Sequence, residues 1–445
     1  MIEVPNGWVR VRLGEISGQP QQRKPAPSDL FRYIDIASID RQKKLISNAE
    51  LVSGNKAPTR ARKVVKSGDV LVSMTRPNLN AIALVSKEFN GQIASTGFDV
   101  LRPLLVEPSW IYYLVRTPKF IDAMSTSVQG ALYPAVRAKD IRNFEVPLAP
   151  LAEQKRIVKK LNALVGKISA SRDRLERVPR ILNRFREAVL EAAASGQLTG
   201  VKESWKTLPF GDLIQNIRTG TTAVPTNTPS RYRVLRSSSV RPLEVDIADF
   251  RYVTEDQSVK EQNFLAVDDI LFTRLSGSIE YVGNCARVHS LPAEGMQYPD
   301  RLFRARLKDP ALARYIEIAF GSSAVRKQIE ARVKSSAGHQ RISTDAITRA
   351  IIPVPPPSIL PQLYARVDSL LNSVSQLRTR TSAISKMCDQ LTPAMLSRAF
   401  CGELVPHDPT DEPASVLLER IRSGREAETN LKRPKRRPDG KQEKV

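Results

Sequence analysis

Two stretches of this sequence match each other and decide the architecture. Residues 185–190 read FREAVL and lead into SGQL at 195–198. Residues 391–396 read LTPAML and lead into CGEL at 401–404, so that the two copies differ by a constant offset of 206. Repetition at a fixed offset indicates that one structural unit has been duplicated. We therefore interpret the chain as a tandem duplication in which each copy ends with this segment.

The duplication extends upstream of these segments. GWVRVRLGE at 7–15 parallels SWKTLPFGD at 204–212, and GDVLVS at 68–73 parallels DDILFT at 268–273. The offsets there are 197 and 200, which indicates small differences in loop length between the copies. Short apolar runs such as those in the second pair of strings predict buried strands. We therefore expect an α+β protein with two mixed, strand-rich blocks, each followed by a long helix.

The segments at offset 206 also contain an apolar seam with alternating spacings of four and three residues. Apolar residues every 3.5 positions, sustained over several heptads, predict a coiled coil. A helix that packs only on the core of its own block has a wider stripe of period 3.6. Because one chain contains two matched seams, we predict two long helices that pair with each other through Ile157, Leu161, Leu164, Ile168, Leu175 and Leu182 in the first helix and Leu363, Val367, Leu370, Val374, Leu377, Ile384 and Leu391 in the second.

Two prolines and two glycines interrupt or end these patterns. Pro179 and Pro393 lie inside the seams and lack a backbone N–H, so we expect a kink or a local loss of hydrogen bonding at each. Gly196 and Gly402 lie where glycines commonly end helices.

The charge of the chain indicates the class of its partner. Among 445 residues there are 69 Lys and Arg against 46 Asp and Glu, a formal net charge of +23. A positive field of this size attracts polyanions, of which DNA and RNA are the usual ones. No apolar run approaches the ~20 residues that a membrane helix needs, and the three scattered cysteines suit neither a disulfide framework nor a zinc site. We expect a cytoplasmic protein with no membrane contact, no metal and no cofactor.

A cluster of basic residues is the first candidate contact with phosphates. Lys56, Arg60, Arg62 and Lys63 fall within a short stretch, 56–66, that contains no acidic residue. We predict a loop that faces nucleic-acid phosphates, and a simple solvated face is the alternative.

Each block also has two candidate recognition loops, one directly after a predicted strand and one late in the block. Loops on rigid scaffolds often mediate recognition, and Gln or Arg side chains can make bidentate contacts with adenine or guanine. An ordinary turn is the alternative, and a structural or phosphate role is the default for any single residue. The candidates are Arg76, Asn78, Gln129, Tyr133 and Arg137 in the first block and Arg274, Ser276, His339, Gln340 and Arg341 in the second.

Two other functions stay open on this evidence. A stand-alone DNA methyltransferase would need a glycine-rich loop for its methyl donor and an Asn-Pro-Pro-aromatic or Asp-Pro-Pro-aromatic turn, and the sequence contains no Gly-x-Gly and neither turn. Walker and nuclease motifs are also missing from the sequence. A coiled-coil scaffold that binds only proteins would fit the seams, but it would lack the steep salt dependence that phosphate contacts impose on DNA binding.

Several of these strings resemble a known family. Residues 146–158 read VPLAPLAEQKRIV, and the first helix ends in ASGQLT at 194–199. With the duplicated layout, these strings resemble the DNA-specificity subunits of type I restriction–modification systems over residues 5–405. The second copy departs from the pattern, because PSILPQ at 357–362 lacks the Glu-Gln-Lys core.

The resemblance implies two target-recognition domains separated by two antiparallel helices, and each domain binds one half of a gapped site in double-stranded DNA. In that family two copies of a separate adenine-N6 methyltransferase subunit dock on the helices, a restriction subunit with motor and nuclease activity can join them, and the specificity subunit has no catalysis of its own. Applied to this chain, the resemblance predicts target-recognition domains at 1–148 and 201–356, spacer helices at 149–200 and 357–405, and a basic, flexible tail at 406–445.

Overall fold

The chain forms two units, and the division between them falls inside the long helices. The computed structural model describes residues 4–126, 135–200, 205–254, 259–291, 295–336 and 339–432. Among these, unit 1 comprises the residues up to Leu175 and those from Ala383 onward, and unit 2 comprises Glu176–Ser382. Each unit therefore contains one strand-rich block together with parts of both long helices.

The same sheet order occurs in both units, which confirms the duplication. A four-stranded sheet of unit 1 has the order Ser17–Gly18, Phe98–Pro103, Val70–Ser73, Ile82–Leu84. Unit 2 repeats this order with Ile214–Thr219, Leu302–Leu307, Ile270–Thr273 and Cys285–Arg287. The predicted apolar strands are central and buried on both faces, as their continuous apolar sequence requires.

Three strands of a second four-stranded sheet also correspond between the units, and the fourth is Ala61–Val64 in unit 1 and Pro225–Thr226 in unit 2. In unit 1 its order is Glu50–Ser53, Leu30–Ile34, Ile93–Ser95, Ala61–Val64, and in unit 2 it is Pro225–Thr226, Phe250–Val253, Arg233–Leu235, Met296–Gln297. The small pairs are Val9–Arg12 with Glu145–Leu148 and Ile39–Asp40 with Leu45–Ile46 in unit 1, and Lys206–Pro209 with Ile351–Val354 and Val240–Arg241 with Glu244–Val245 in unit 2.

Short helices cover the sheets at equivalent places. Unit 1 has Pro108–Leu114, Pro118–Thr126 and Ala138–Asn143, and unit 2 has Phe210–Leu213, Ala313–Gly321, Ser323–Glu330 and Thr344–Thr348.

A buried ion pair ties the two central strands together in each unit. Asp69 accepts hydrogen bonds of 2.9 and 2.7 Å from Arg102, and Asp269 accepts hydrogen bonds of 2.8 and 3.3 Å from Arg306. Both carboxylates are almost fully buried, so each needs the guanidinium for its charge. These pairs neutralise the two buried carboxylates with partly exposed guanidinium groups.

The spacer helices differ in continuity. The first is interrupted and runs as Leu151–Leu175 and Val178–Ala194, with Pro179 in the first turn of the second piece, so the predicted break at this proline is confirmed. The second runs as one helix over Leu360–Phe400, although Pro393 lies inside it. Gly196 and Gly402 follow the helix ends with positive φ, as predicted.

Each unit has a core that is completed by the start of one spacer helix and the end of the other. This arrangement places the two helices antiparallel within each unit. The buried residues concerned are Ile157, Leu161, Leu396 and Ala399 in unit 1 and Leu363, Val367, Leu190 and Ala193 in unit 2, which correspond pairwise at the offset of 206.

Polar contacts between the helices repeat with the same offset. Arg172 donates a hydrogen bond of 2.6 Å to Asp389 in unit 1, and the equivalent Arg378 donates one of 2.8 Å to Asn183 in unit 2. Lys160 likewise donates to the carbonyl oxygen of Leu404, as Arg366 does to that of Leu198. Within each unit the two helices are therefore paired at equivalent positions, which confirms the predicted antiparallel pairing.

The seam is buried over most but not all of its length. Ten of the predicted seam residues are buried or half-buried. Leu377, Ile384 and Leu391 are nearly half exposed, so the prediction that they pack between the helices is wrong. The three residues recur every seven positions and so share one heptad position, whereas the alternating position of the same helix is buried at Val374 and Cys388.

The Glu-Gln motif at the start of the first spacer helix packs against its own unit. Glu153 accepts a hydrogen bond of 3.0 Å from the indole N–H of Trp8, and Gln154 donates one of 2.7 Å to the carbonyl oxygen of Ala149. In the second copy Ile359 stands at the position of Glu153. Accordingly, the buried indole N–H of Trp205 has no hydrogen-bond partner within the described residues.

The prediction of a flexible tail is wrong for residues 414–432. They form the helix Ala414–Lys432, whose side chains Leu417, Leu418 and Ile421 are buried in the core of unit 1. Arg422 also pairs with Glu15 at 2.8 Å. The basic sequence obscured an apolar stripe of spacing three and four, which is the pattern of a packed helix.

Within the described residues no helix is long and apolar enough to cross a lipid bilayer.

Replacing Leu417 with alanine should destabilise unit 1 selectively, by about 2–5 kcal/mol, because it removes a buried side chain from the core. Amide hydrogen exchange of the whole chain measures this as a loss of protection in Val9–Arg12 and in the C-terminal helix. Val416→Ala, on the exposed side of the same helix, is the matched control. Equal protection in the two variants would show that this helix does not support the unit.

Candidate nucleic-acid interface

In unit 2 the two predicted recognition loops come together in one small sheet. Leu275–Ser276 pairs with His339–Arg341, which in turn pairs with Lys334–Ser336. The sequence separates these strands by about sixty residues, and only the fold joins them. Ser276, His339, Gln340 and Arg341 thus belong to one small sheet, which Arg274 directly precedes, and we call these residues together with Lys334 the unit 2 ribbon.

Unit 1 joins its candidate loops in the same register. Thr75 forms an antiparallel bridge with Ala135, and Val136 N donates to the Met74 carbonyl oxygen at 2.9 Å, as Ile342 N donates to that of Arg274 at 3.0 Å in unit 2. The turn Pro77–Leu79, with the exposed side chains of Arg76 and Asn78, therefore follows a residue that is bridged to Ala135, two positions before Arg137. Gln129 and Tyr133 lie outside the described residues.

Like charges face each other on the unit 2 ribbon. Lys334 lies directly opposite Arg341 in the strand register, and both side chains are exposed. Two cations at directly opposed positions destabilise a sheet unless an anion lies nearby. The half-buried Gln340 next to them donates a hydrogen bond to Ser335 at 3.3 Å, which orients its amide. A narrow ribbon with this charge and one oriented amide suits a nucleic-acid groove.

The sequence suggested that the basic cluster of unit 1 is a single loop, but part of it is a strand. Lys56 and Arg60 are exposed, but Arg62 and Lys63 belong to the strand Ala61–Val64, in which successive side chains point to opposite faces. Lys63 is buried, donates a hydrogen bond of 2.5 Å to the Phe98 carbonyl oxygen, and has its pKa lowered by burial. Its predicted contact with phosphate is therefore wrong, and its role is structural.

Two other candidate arginines already have partners inside the chain. Arg137 pairs with Asp140 at 3.2 Å in the first turn of the helix Ala138–Asn143. Arg274 donates a hydrogen bond of 3.0 Å to the Asp300 carbonyl oxygen and lies over the ring of Phe303. Both therefore shape the recognition surface and have less freedom to bind DNA than Arg76 and Arg341.

Sequence reasoning missed Lys334, Arg41 and Lys44. Lys334 becomes a candidate only through its strand pairing with Arg341. Arg41 and Lys44 lie in the turn between Ile39–Asp40 and Leu45–Ile46, and the fold brings this turn near Asn80 through a 2.5 Å hydrogen bond from the Lys44 amine. No local motif signals either contact.

In the described part of the chain, no group of three or more His, Cys, Asp or Glu side chains is placed to hold a metal ion.

Comparison with known proteins gives consistent matches. A family model described as the type I restriction modification DNA specificity domain matches residues 5–180. The type I restriction enzyme EcoKI specificity subunit of Escherichia coli strain K12 is 28% identical over 454 residues, which cover 96% of this chain and 97% of that protein.

Two solved structures are similar over nearly the whole fold. A chain from a structure on complex assembly and conformational transition of the type I R-M system has a TM-score of 0.71 and 26% identity, and the match covers 90% of this chain and 99% of that one. The HsdS subunit from Thermoanaerobacter tengcongensis has a TM-score of 0.59 and 25% identity, with coverage of 90% and 98%.

Proposed function

We propose that this chain, which is similar over nearly its whole length to type I restriction–modification DNA-specificity subunits, selects the DNA target of such a complex and catalyses no reaction itself. The blocks at 1–148 and 201–356 act as two target-recognition domains, each of which binds one half of a gapped site. The observation that carries this proposal is the joining of two distant loops in the same register in both units. The net charge of +23 supplies the affinity for phosphates.

The equivalence of the units does not extend to the side chains on their recognition surfaces. Unit 1 presents Arg76 and Asn78 on its turn, whereas unit 2 presents Gln340 and Arg341 on its ribbon. Base choice depends on such side chains in the major groove. Two different surfaces on equivalent scaffolds therefore favour an asymmetric target with two unlike half-sites.

Equivalent apolar pairs on the spacer helices support a complex with two methyltransferase subunits. Met387 and Leu391 are exposed on one face of the second helix in unit 1, and Ile181 and Phe185 are exposed on the first helix in unit 2. The pairs correspond at the offset of 206, and residues four apart share one face of a helix. Exposed apolar side chains at matched places indicate two copies of one protein interface. A restriction subunit would join the complex that these contacts build.

A map of adenine methylation in the source cell tests the proposed function. Deleting the gene should remove methylation at one gapped, asymmetric motif and leave other motifs unchanged. Replacing residues 1–148 with the equivalent block of another family member should then change one half of that motif and preserve the other. A change in both halves would contradict the assignment of one half-site to each unit.

Replacing Arg341 with alanine should reduce the salt dependence of DNA binding by the methyltransferase complex. One lost phosphate contact lowers the slope of log affinity against log salt by about 0.9. Arg349→Ala is the control, because Arg349 is an exposed arginine of the same unit that pairs with Asp345 at 2.7 Å. If the slopes of the two variants are equal, the unit 2 ribbon does not contact the DNA backbone through Arg341.

Glutamate at both Met387 and Leu391 should remove one methyltransferase subunit from the purified complex, because it places charge on an apolar interface. Glutamate at both Ile181 and Phe185 should remove the other subunit, and the fourfold variant should remove both. Native mass spectrometry counts the subunits directly. Gln390→Glu, an exposed position on the same helix, is the control and should retain two. A full complement in the fourfold variant would place the docking surface elsewhere.

A further inference from the structure

Unit 1 has an open cleft between two turns beside its recognition surface. The cleft has a volume of about 330 Å³ and lies between the turn at Arg41 and the turn Pro77–Leu79. The bridge between Thr75 and Ala135 forms part of the same wall, so the cleft is continuous with the recognition surface. Its lining residues include Ile36, Arg41, Thr75, Arg76, Leu79 and Ala81.

The backbone around this cleft is strained. Arg76, Asn80 and Lys44 have positive φ values of 48°, 47° and 57°, a backbone conformation that residues other than glycine rarely adopt. The Lys44 amine donates to the Asn80 carbonyl oxygen at 2.5 Å, and the Tyr112 hydroxyl donates to the Lys44 carbonyl oxygen at 3.1 Å. Strain of this kind persists where the surroundings fix the backbone, and it clusters at ligand sites.

The charge around the cleft is strongly positive. Arg41 and Arg76 line it, and Lys44 lies behind the segment that joins Leu79 to Ala81. Arg116 lies over the rings of Tyr112 and Tyr113 nearby and raises the local potential. The nearby carboxylate of Asp40 already accepts backbone hydrogen bonds of 2.9 Å from Gln42 and Lys43.

The pKa of Lys44 responds to this environment. Burial, together with the neighbouring charges of Arg116 and Arg41, lowers the pKa of the Lys44 amine to about 8, and only the Asp40 carboxylate opposes this change. A negative charge in the cleft would therefore raise the pKa of this amine and favour its protonated form.

Unit 2 has a different residue at the equivalent position. Its corresponding hairpin, Val240–Arg241 with Glu244–Val245, has Leu243 at the left-handed position that Lys44 occupies in unit 1. Both hairpins thus have a residue of positive φ directly before their second strand, although the turns differ in length, and that residue is a lysine in unit 1 alone.

We propose that the cleft between Arg41 and Arg76 binds one phosphate of the DNA backbone beside the half-site of unit 1. This inference rests on the proposed function of the chain in DNA recognition. Guanidinium groups match the geometry of a phosphate through paired hydrogen bonds. An anion here would also offset the repulsion that Arg41 and Arg116 exert on the Lys44 amine.

A scan of neutral backbone substitutions locates such a phosphate. The full methyltransferase complex is titrated with duplexes that contain the site found by methylation mapping, each with a methylphosphonate at one position. One position beside the unit 1 half-site should weaken the wild-type complex at least fivefold. In the Arg41→Ala, Arg76→Ala complex the same methylphosphonate should have no further effect, because the two guanidinium groups that bind the phosphate charge have been removed.

Two controls separate the outcomes of this scan. Lys87→Ala, an exposed lysine of unit 1 away from the cleft lining, should show the wild-type pattern. If the double variant remains as sensitive as wild type at every position, the cleft does not bind a phosphate, even though the complex still recognises its site. If the wild-type complex does not bind that duplex above a scrambled one, the proposed function itself fails.

The same phosphate should make binding depend on pH through Lys44. A bound anion favours the protonated amine, so affinity should fall as pH rises through about 8, by roughly fivefold between pH 7 and pH 9. Tyr112 does not titrate in this range, because burial raises the pKa of its hydroxyl. Lys44→Met should remove this fall and Lys87→Met should retain it. A wild-type affinity that is constant over this range would overturn the proposed placement of the phosphate.

Discussion

The structure depends on cores that neither sequence repeat completes alone. The apolar residues that close the core of unit 1 come from the start of the first spacer helix, at Ile157 and Leu161, and from the end of the second, at Leu396 and Ala399. Unit 2 has the reciprocal arrangement. Because burial of these side chains is the dominant favourable contribution to folding, neither unit has a complete core without both spacer helices.

Charged side chains have different roles inside the sheets and at the candidate interface. The buried carboxylates of Asp69 and Asp269 are matched by Arg102 and Arg306 inside the sheets. In contrast, Lys334 and Arg341 face each other at the surface. A bound polyanion would relieve the repulsion between these two side chains. Arginine therefore has two roles in this chain. Arg102 and Arg306 stabilise strand pairs, whereas Arg341 is a candidate for binding DNA.

The sequence predicted long-range organisation better than local side-chain roles. The offset of 206 fixed the positions of the spacer helices because periodicity and repetition do not depend on the environment of any one residue. The role of Lys63 could not be predicted, since a strand within the basic cluster turns that side chain inward. The helix Ala414–Lys432 was hidden by its charge, and the ribbon at Arg341 depends on pairing between distant strands.

The second copy departs from the family motif at a position whose side chain contacts its own unit. Glu153 serves Trp8 within unit 1, and its replacement by Ile359 leaves the indole of Trp205 without that acceptor. The Glu-Gln motif therefore stabilises packing inside unit 1. Its loss from one copy does not alter the contacts between helices, because Arg172 and Arg378 retain equivalent partners.

The break in the first spacer helix lies between its two polar contacts with the second helix. Arg172 and Asn183 flank residues 176 and 177, where the helix is interrupted, and their partners are Asp389 and Arg378. An insertion inside either helical piece would move a contact and the apolar residues behind it out of step with the second helix. An insertion at residues 176 and 177 would instead leave both pieces intact. Over evolution, changes of length in the first repeat should therefore accumulate at this break, while the helical pieces keep their length.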